Sequence, residues 1–238
     1  MTNVTVTVVI PVFNDVEALK TAIPKSIEVL EAYGQRFELI IAEDGSNDGS
    51  REYIEQWEEK DTRVRLLHSD ERQGRGRALN RALAESNGKI FCYYDVDLAT
   101  DIKHLPELLG RIERGADVST GSRLMKDSNI IRSGDREIAS RGYNFLVRLF
   151  LGSKLNDHQC GFKAYKSAVL KELAPQIRAT HWFWDTESLV LAQKAGLRVE
   201  EFPVVWTQGP GTTVRFKDVT GMGKDILKMW WRLHVEKS

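Results

Sequence analysis

Apolar residues fall along this chain of 238 residues in two rhythms that alternate with each other. Short β-branched or aromatic runs predict strands over 4–12, 37–42, 64–68, 90–94 and 117–120, and apolar residues three and four apart predict helices over 16–32, 51–60, 77–86 and 104–114 between them. Strand and helix in strict succession predict an α/β fold with a doubly wound, mostly parallel sheet. The second half departs from that rhythm. It has an amphipathic stretch over 136–151, a loop around 157–162, a helix over 185–195 and a strand over 198–205, and it reads as an elaboration of the same single domain.

Several strands run straight into acidic residues. The apolar segment ending at Tyr94 delivers Asp95 and Asp97, which are spaced to share one face just past the strand end. An Asp-x-Asp pair alone is commoner on solvated turns. Here it follows a strand suited to a sheet interior, and ligands of open α/β sheets gather outside the carboxyl ends of such strands. Two carboxylates there offer hard oxygen ligands to a cation that also holds phosphates. The strand over 37–42 likewise delivers Glu43 and Asp44 and then Gly45-Ser-Asn-Asp-Gly-Ser50, where Asp48 or Ser50 suits a helix cap. Glu43 and Asp44 are left without an evident structural duty, and suit a base N–H or a ribose hydroxyl. Arg72-Gln-Gly-Arg-Gly-Arg77 opens a helix with glycines and arginines, a combination that attracts phosphate.

Composition narrows the partners. Lys plus Arg and Asp plus Glu both total 34, so a formal net charge of zero gives no general attraction to nucleic acid. Cys92 and Cys160 are too few and too far apart in sequence for a disulfide framework or zinc site, in keeping with a reducing cytoplasm. No run reaches the roughly 20 apolar residues of a membrane span, and no N-terminal signal is visible. The C-terminus differs in character. Ile226, Leu227, Met229, Trp230, Trp231 and Leu233 interleave with Lys224, Lys228 and Arg232, a basic amphipathic pattern that fits a membrane surface or a packed terminal helix.

These motifs together resemble one family. Val8-Val-Ile-Pro-Val-Phe-Asn14, Glu43-Asp-Gly-Ser-Asn-Asp-Gly-Ser50, Gly74-Arg-Gly76 and Asp95-Val-Asp-Leu-Ala99 are similar to the nucleotide-sugar half of family 2 glycosyltransferases of GT-A fold. Gly121-Ser-Arg123, Arg136 to Asn144, Asp157 to Lys163, Trp184-Asp-Thr-Glu187 and Glu201 to Trp206 resemble dolichyl-phosphate glucosyltransferases and dolichol phosphate mannose synthases. The resemblance implies a Rossmann-like domain with a donor half over 1–100, an acceptor half over 101–220 and an amphipathic helix over 221–238. It implies inverting transfer of a sugar from a nucleotide diphosphate, with uridine diphosphate glucose or N-acetylglucosamine favoured, to polyprenyl or dolichyl phosphate, for glycan assembly or protein glycosylation. The enzyme would be peripheral on the cytoplasmic face of the membrane.

By the same resemblance, Pro11, Phe13, Asn14, Glu43, Asp44, Gly74, Arg75 and Asp95 bind the donor, and Asp95 and Asp97 hold Mg²⁺ or Mn²⁺. Arg123, Arg136 and Ser140 hold the acceptor phosphate, and with Asp97 they make up the catalytic set. Asp157, Asp185 and Glu187 are secondary candidates, with Asp185 and Glu187 also suited to cap the helix over 185–195. The chain departs from the mannose synthases at Ala99, where they carry a Gln, and at Gly211-Thr-Thr-Val-Arg215, where the family often has Gly-Ser-Lys. Two alternatives stay open: a hydroxyl acceptor with Asp157 or Asp185 as general base, and a nucleotide-sugar-binding protein without catalysis. His158 and Cys160 lack the spaced partners of a metal site, Cys160 reads as packing, and His181 to Trp184 reads as core aromatics or a sugar platform.

Overall fold

A computed structural model describes residues 4–131, 134–207 and 216–236, with the side chains of 134–136, 216–220 and 222 outside that description. In chain order the first half is β1 (Val6–Val12), α1 (Val16–Tyr33), β2 (Phe37–Glu43), α2 (Ser50–Lys60), β3 (Val64–Leu67), α3 (Arg75–Glu85), β4 (Ile90–Tyr94) and α4 (Leu105–Glu113). The second half is β5 (Val118–Ser122), β6 (Asn129–Ile131), α5 (Gly134–Leu151), β7 (Phe162–Lys166), α6 (Ser167–Leu173), α7 (Phe183–Lys194), β8 (Val199–Pro203), β9 (Val205–Thr207) and α8 (Phe216–His234). Seven strands form the central sheet in the order β3-β2-β1-β4-β7-β5-β8, and β6 pairs with β9 beside it. All neighbours in the large sheet are parallel except β7, which runs antiparallel to both β4 and β5.

Alternation along each strand feeds two cores. Val8, Ile10, Leu39, Ile41, Cys92, Tyr94 and Phe162 pack on one face with α1, α2 and α4, whereas Val9, Ile40, Phe91, Tyr93 and Tyr165 pack on the other with α3 and α5 to α8. The result is a three-layer α/β/α arrangement, as the alternation of the first half predicts.

The second half corrects the sequence reading. The expected loop around 157–162 leads directly into β7, an inner strand concealed by two lysines, of which Lys163 is fully buried. The single strand expected over 198–205 breaks at Val204 into β8 and β9, because Val204 turns its N–H to Ser122 O (3.3 Å). Helix α3 starts at Arg75 and not at 77, since Thr180 O caps the amides of Gly76 (2.9 Å) and Arg77 (3.3 Å). The C-terminal helix begins at Phe216, ahead of the expected 221. Arg215 and the rest of 208–215 lie outside the described residues.

Candidate active site at the carboxyl edge of the sheet

β1, β2 and β4 end side by side, and the loops that follow them meet. Asn14 exchanges hydrogen bonds with the turn after β2: its N–H donates to Ser46 Oγ (2.9 Å), and its Oδ1 accepts from Asn47 N (2.9 Å). Its φ of 51° is a left-handed conformation that Asn tolerates better than most residues. Arg72 stacks over the Phe13 ring at 4.0 Å, so the arginine loop reaches back to the end of β1. Pro11 sits in β1 opposite Ala42.

The two acids after β2 have the structural duties that the sequence concealed. Glu43 is fully buried; its carboxylate accepts Ser46 N–H and lies 2.5 Å from His68 Nδ1. Asp44 accepts the amides of Gln73 (3.1 Å) and Gly74 (2.8 Å) and thereby fixes the arginine loop. Gly74 has φ of 104°, and a Cβ there would collide with the His181 ring, so the tight turn requires glycine. Asp48, expected near the start of α2, accepts Ser50 N–H (3.1 Å) and also caps α1 through Val16 N–H (2.9 Å).

Past β4, Asp95 and Asp97 behave differently from one another. Asp95 Oδ1 accepts Arg75 Nη2 (2.8 Å) and Nε (3.2 Å), and the third nitrogen of that guanidinium, Nη1, reaches Asp185 Oδ2 at 2.5 Å. Asp97 accepts only the Ala99 amide (3.0 Å) and has no ion-pair partner among the described residues. Crowding by the surrounding protein, and then repulsion from Asp95, push its carboxyl above the usual range. Both acids sit where the sequence places them. No group of three or more His, Cys, Asp or Glu that could hold a metal occurs among the described residues.

Asp185 is buried at the start of α7. Its Oδ1 accepts Tyr93 Oη (2.5 Å) and Lys163 Nζ (2.8 Å). Burial alone would raise its carboxyl, but Arg75 and Lys163 outweigh that and hold it low. It is therefore not a helix cap. Lys163 is the participant that the sequence reading missed; its only signal is the alternation of Phe162-Lys-Ala-Tyr-Lys166. Glu187 is likewise no cap: it accepts the amides of Arg178 (3.0 Å) and Ala179 (2.8 Å) and pairs with Arg232 of α8. Trp184 is a core residue whose Nε1 donates to Asn80 (3.0 Å), while the His181 side chain is exposed.

Beside β5, Arg123 donates Nε (2.7 Å) and Nη2 (2.9 Å) to the two oxygens of Asp157. Burial works against both charges, yet the fork keeps Asp157 well below the carboxylate range and Arg123 above its own. Nη1 of Arg123 has no hydrogen bond among the described residues. Ser140 Oγ is buried and has no hydrogen-bond partner among the described residues. Arg136 lies one turn before Ser140 on α5, with its side chain outside the described residues. His158 is not a metal ligand: its ring nitrogens meet Asn144 Oδ1 and Ser153 Oγ, each at 2.6 Å, and burial pushes its pKa down to about 3. Burial pushes the Cys160 thiol up to about 12. The two sides touch where Asp95 N–H donates to Gly161 O (3.2 Å).

Comparison with known proteins accords with this geometry. Glycosyltransferase AglD of Haloferax volcanii is 46% identical over 236 residues, covering 98% of this chain but only 38% of its own length. Dolichyl-phosphate beta-glucosyltransferases of Dictyostelium discoideum and Saccharomyces cerevisiae are 29% and 28% identical, each covering 97% of this chain and 75% and 76% of their own lengths. Among solved structures, mannosyl-3-phosphoglycerate synthase from Rubrobacter xylanophilus superposes with a TM-score of 0.73 at 16% identity, covering 97% of this chain and 74% of that one. Glucosyl-3-phosphoglycerate synthase from Mycobacterium tuberculosis, solved with Mn²⁺, UDP-glucose and phosphoglyceric acid, gives 0.70 at 20% identity and coverages of 95% and 78%. These likenesses establish a GT-A fold. The profile of glycosyl transferase family 2 matches residues 7–174, and the chain belongs to that family of glycosyltransferases.

Proposed function

We propose that this glycosyltransferase moves a hexose from a uridine diphosphate sugar to polyprenyl or dolichyl phosphate with inversion, for glycan assembly or protein glycosylation. The observation that carries the donor half is Asp97: two neighbouring carboxylates past one strand end, of which Asp97 has no cationic partner among the described residues, suit a divalent cation. Asp95 and Asp97 would hold Mg²⁺ or Mn²⁺, which would stabilise the departing diphosphate. Mn²⁺ accompanies UDP-glucose in the mycobacterial synthase, and the dolichyl-phosphate relatives are glucosyltransferases by name. Phe13, Asn14, Gly74 and Arg75 frame the donor, and Glu43 and Asp44 serve by fixing the loops around it.

The acceptor half rests on Arg123, Arg136 and Ser140. Arg136 and Ser140 share one face of α5 by their i, i+4 spacing, and the unpartnered Ser140 hydroxyl suits a phosphate oxygen. A phosphate monoester is already mostly dianionic at neutral pH, so it needs positioning more than a strong base. The hydroxyl-acceptor alternative needs such a base. Asp157 and Asp185, both held low by buried cations, are poorly suited to take a proton.

The outer faces of α5 and α8 support a peripheral membrane enzyme. Phe145, Leu149, Leu227 and Trp231 are more than half exposed, and Lys224 is exposed beside them in sequence on α8. Arg232 departs from the expected headgroup role, being turned inward onto Glu187. No described helix is long and apolar enough to cross a membrane. Both cysteines are free, in keeping with the cytoplasmic side. The test is a matrix of uridine and guanosine diphosphate sugars against polyprenyl phosphate and polyprenol. Product should form from a uridine donor with the phosphorylated lipid, and equal glycosylation of the free alcohol would overturn the reading.

A further inference from the structure

The Arg75 guanidinium already occupies the carboxylate that a cation would need. Two of its nitrogens hold Asp95 and the third holds Asp185, while the rings of Tyr93 (5.2 Å) and Trp182 (5.3 Å) flank it. The side chain is 10% exposed, so solvent screens these contacts little. Asp185 keeps Tyr93 and Lys163 whatever Arg75 does, whereas Asp95 has no other cationic side chain within ion-pair distance among the described residues. The two ends of the Arg75 fork are therefore unequal: its hold on Asp185 is buried and supported, and its hold on Asp95 faces the open site, where the Asp95 side chain is 39% exposed.

We propose that Arg75 is a built-in competitor of the divalent cation. It neutralises Asp95 until a diphosphate offers the guanidinium a better anion, so that cation and donor bind as a pair and the cation alone binds weakly. This deepens the donor reading above and rests on its cation site. It makes Arg75 a positioning residue that acts through Asp95, and it gives the arginine at this loop position a role that charge alone does not: the planar fork spans two carboxylates at once, and a lysine ammonium does not.

Binding of Mn²⁺ alone, read from loss of the free-ion electron paramagnetic resonance signal with no sugar nucleotide present, tests this without turnover. Arg75→Gln should bind Mn²⁺ at least about tenfold tighter than wild type, equivalent to about 1.4 kcal/mol. Adding Asp97→Asn to that variant should abolish the gain, placing the ion at the acidic pair. Arg75→Lys should fall between, because its single ammonium stays with the buried Asp185 and releases Asp95 but keeps a positive charge near the ion. A purely structural arginine predicts a lower thermal midpoint with unchanged or weaker Mn²⁺ binding in both variants. That result overturns the proposal, as does a gain that survives Asp97→Asn. Should Arg75→Gln not fold, Arg75→Lys decides by the same criterion: tighter than wild type supports, equal or weaker overturns. If wild type and Arg75→Gln bind Mn²⁺ equally, this inference alone fails; if neither binds it, the cation site beneath it fails as well.

Discussion

Asp157 and Asp97 stand on neighbouring loops at the same sheet edge, and they are opposites in their electrostatics. Both oxygens of Asp157 are taken by one arginine fork and by backbone amides, in a site closed to solvent. The carboxylates of Asp95 and Asp185 share the two cations Arg75 and Lys163, whereas Asp97 has no ion-pair partner among the described residues and is the most open to solvent of the three. A closed, matched carboxylate is architecture, and it leaves Arg123 only Nη1 to offer a phosphate. An unmatched, open one needs something from outside. The difference teaches that the charge left unsatisfied, and not the count of acids in a motif, marks where a ligand belongs.

The same chemical change at the two positions should therefore act in opposite ways. Asp157→Asn leaves Arg123 buried without its counter-charge and should cost about 3–5 kcal/mol of stability, measured by urea unfolding. Asp97→Asn should leave the unfolding midpoint unchanged or slightly raised, because it relieves a repulsion, yet lower transfer by about 100-fold to 1,000-fold, as loss of transition-state charge stabilisation typically does. A stable Asp157→Asn protein or an active Asp97→Asn protein would erase the contrast.

Arg136→Ala sharpens it from the acceptor side. Loss of a charged hydrogen bond should cost about 1.5–3 kcal/mol in affinity for polyprenyl phosphate and leave the donor KM alone. Weakened donor binding would instead place Arg136 with Asp97. The last test concerns His158, next to Asp157. Its folded pKa, depressed by burial to about 3 from the ordinary 6.5, means that the unfolded chain binds the extra proton first. Its contribution to stability is thus complete above pH 6.5 and declines as pH falls toward 3, by at most about 1.4 kcal/mol per pH unit. Above about pH 4.5 carboxylates in their ordinary range add little to this slope, and Asp97, raised in both proteins, does not separate them. His158→Gln should flatten the decline between about pH 4.5 and 6.5 in pH-dependent unfolding curves.

What the sequence revealed follows from locality. β1, β2 and β4 are legible because strands buried on both faces need near-continuous apolar runs, and Asp95 and Asp97 because they end one. β7 was concealed because its Lys163 looks like a surface residue until Asp185, far along the chain, supplies its partner. Asp185 and Glu187 read as caps for the same reason. Helix α7 is buried from Phe183 to Ala192, so its acids answer to neighbours from distant segments and not to the helix itself. Arg232 is the converse case: a helical pattern shows which residues are basic, but only packing shows which of them turns inward.

The antiparallel course of β7 sets a constraint on how this protein can change over evolutionary time. Because Lys163 must face Asp185 while Phe162 and Ala164 face the opposite core, β7 is held in register, and adding or losing one residue between Asp157 and Phe162 would strain the short connection that carries Asp157 to Arg123. A larger residue at 161 would strike Asp95. The segment that presents Arg123's partner is thus constrained in length by the segment that presents the acidic pair, and the two are expected to be inherited together.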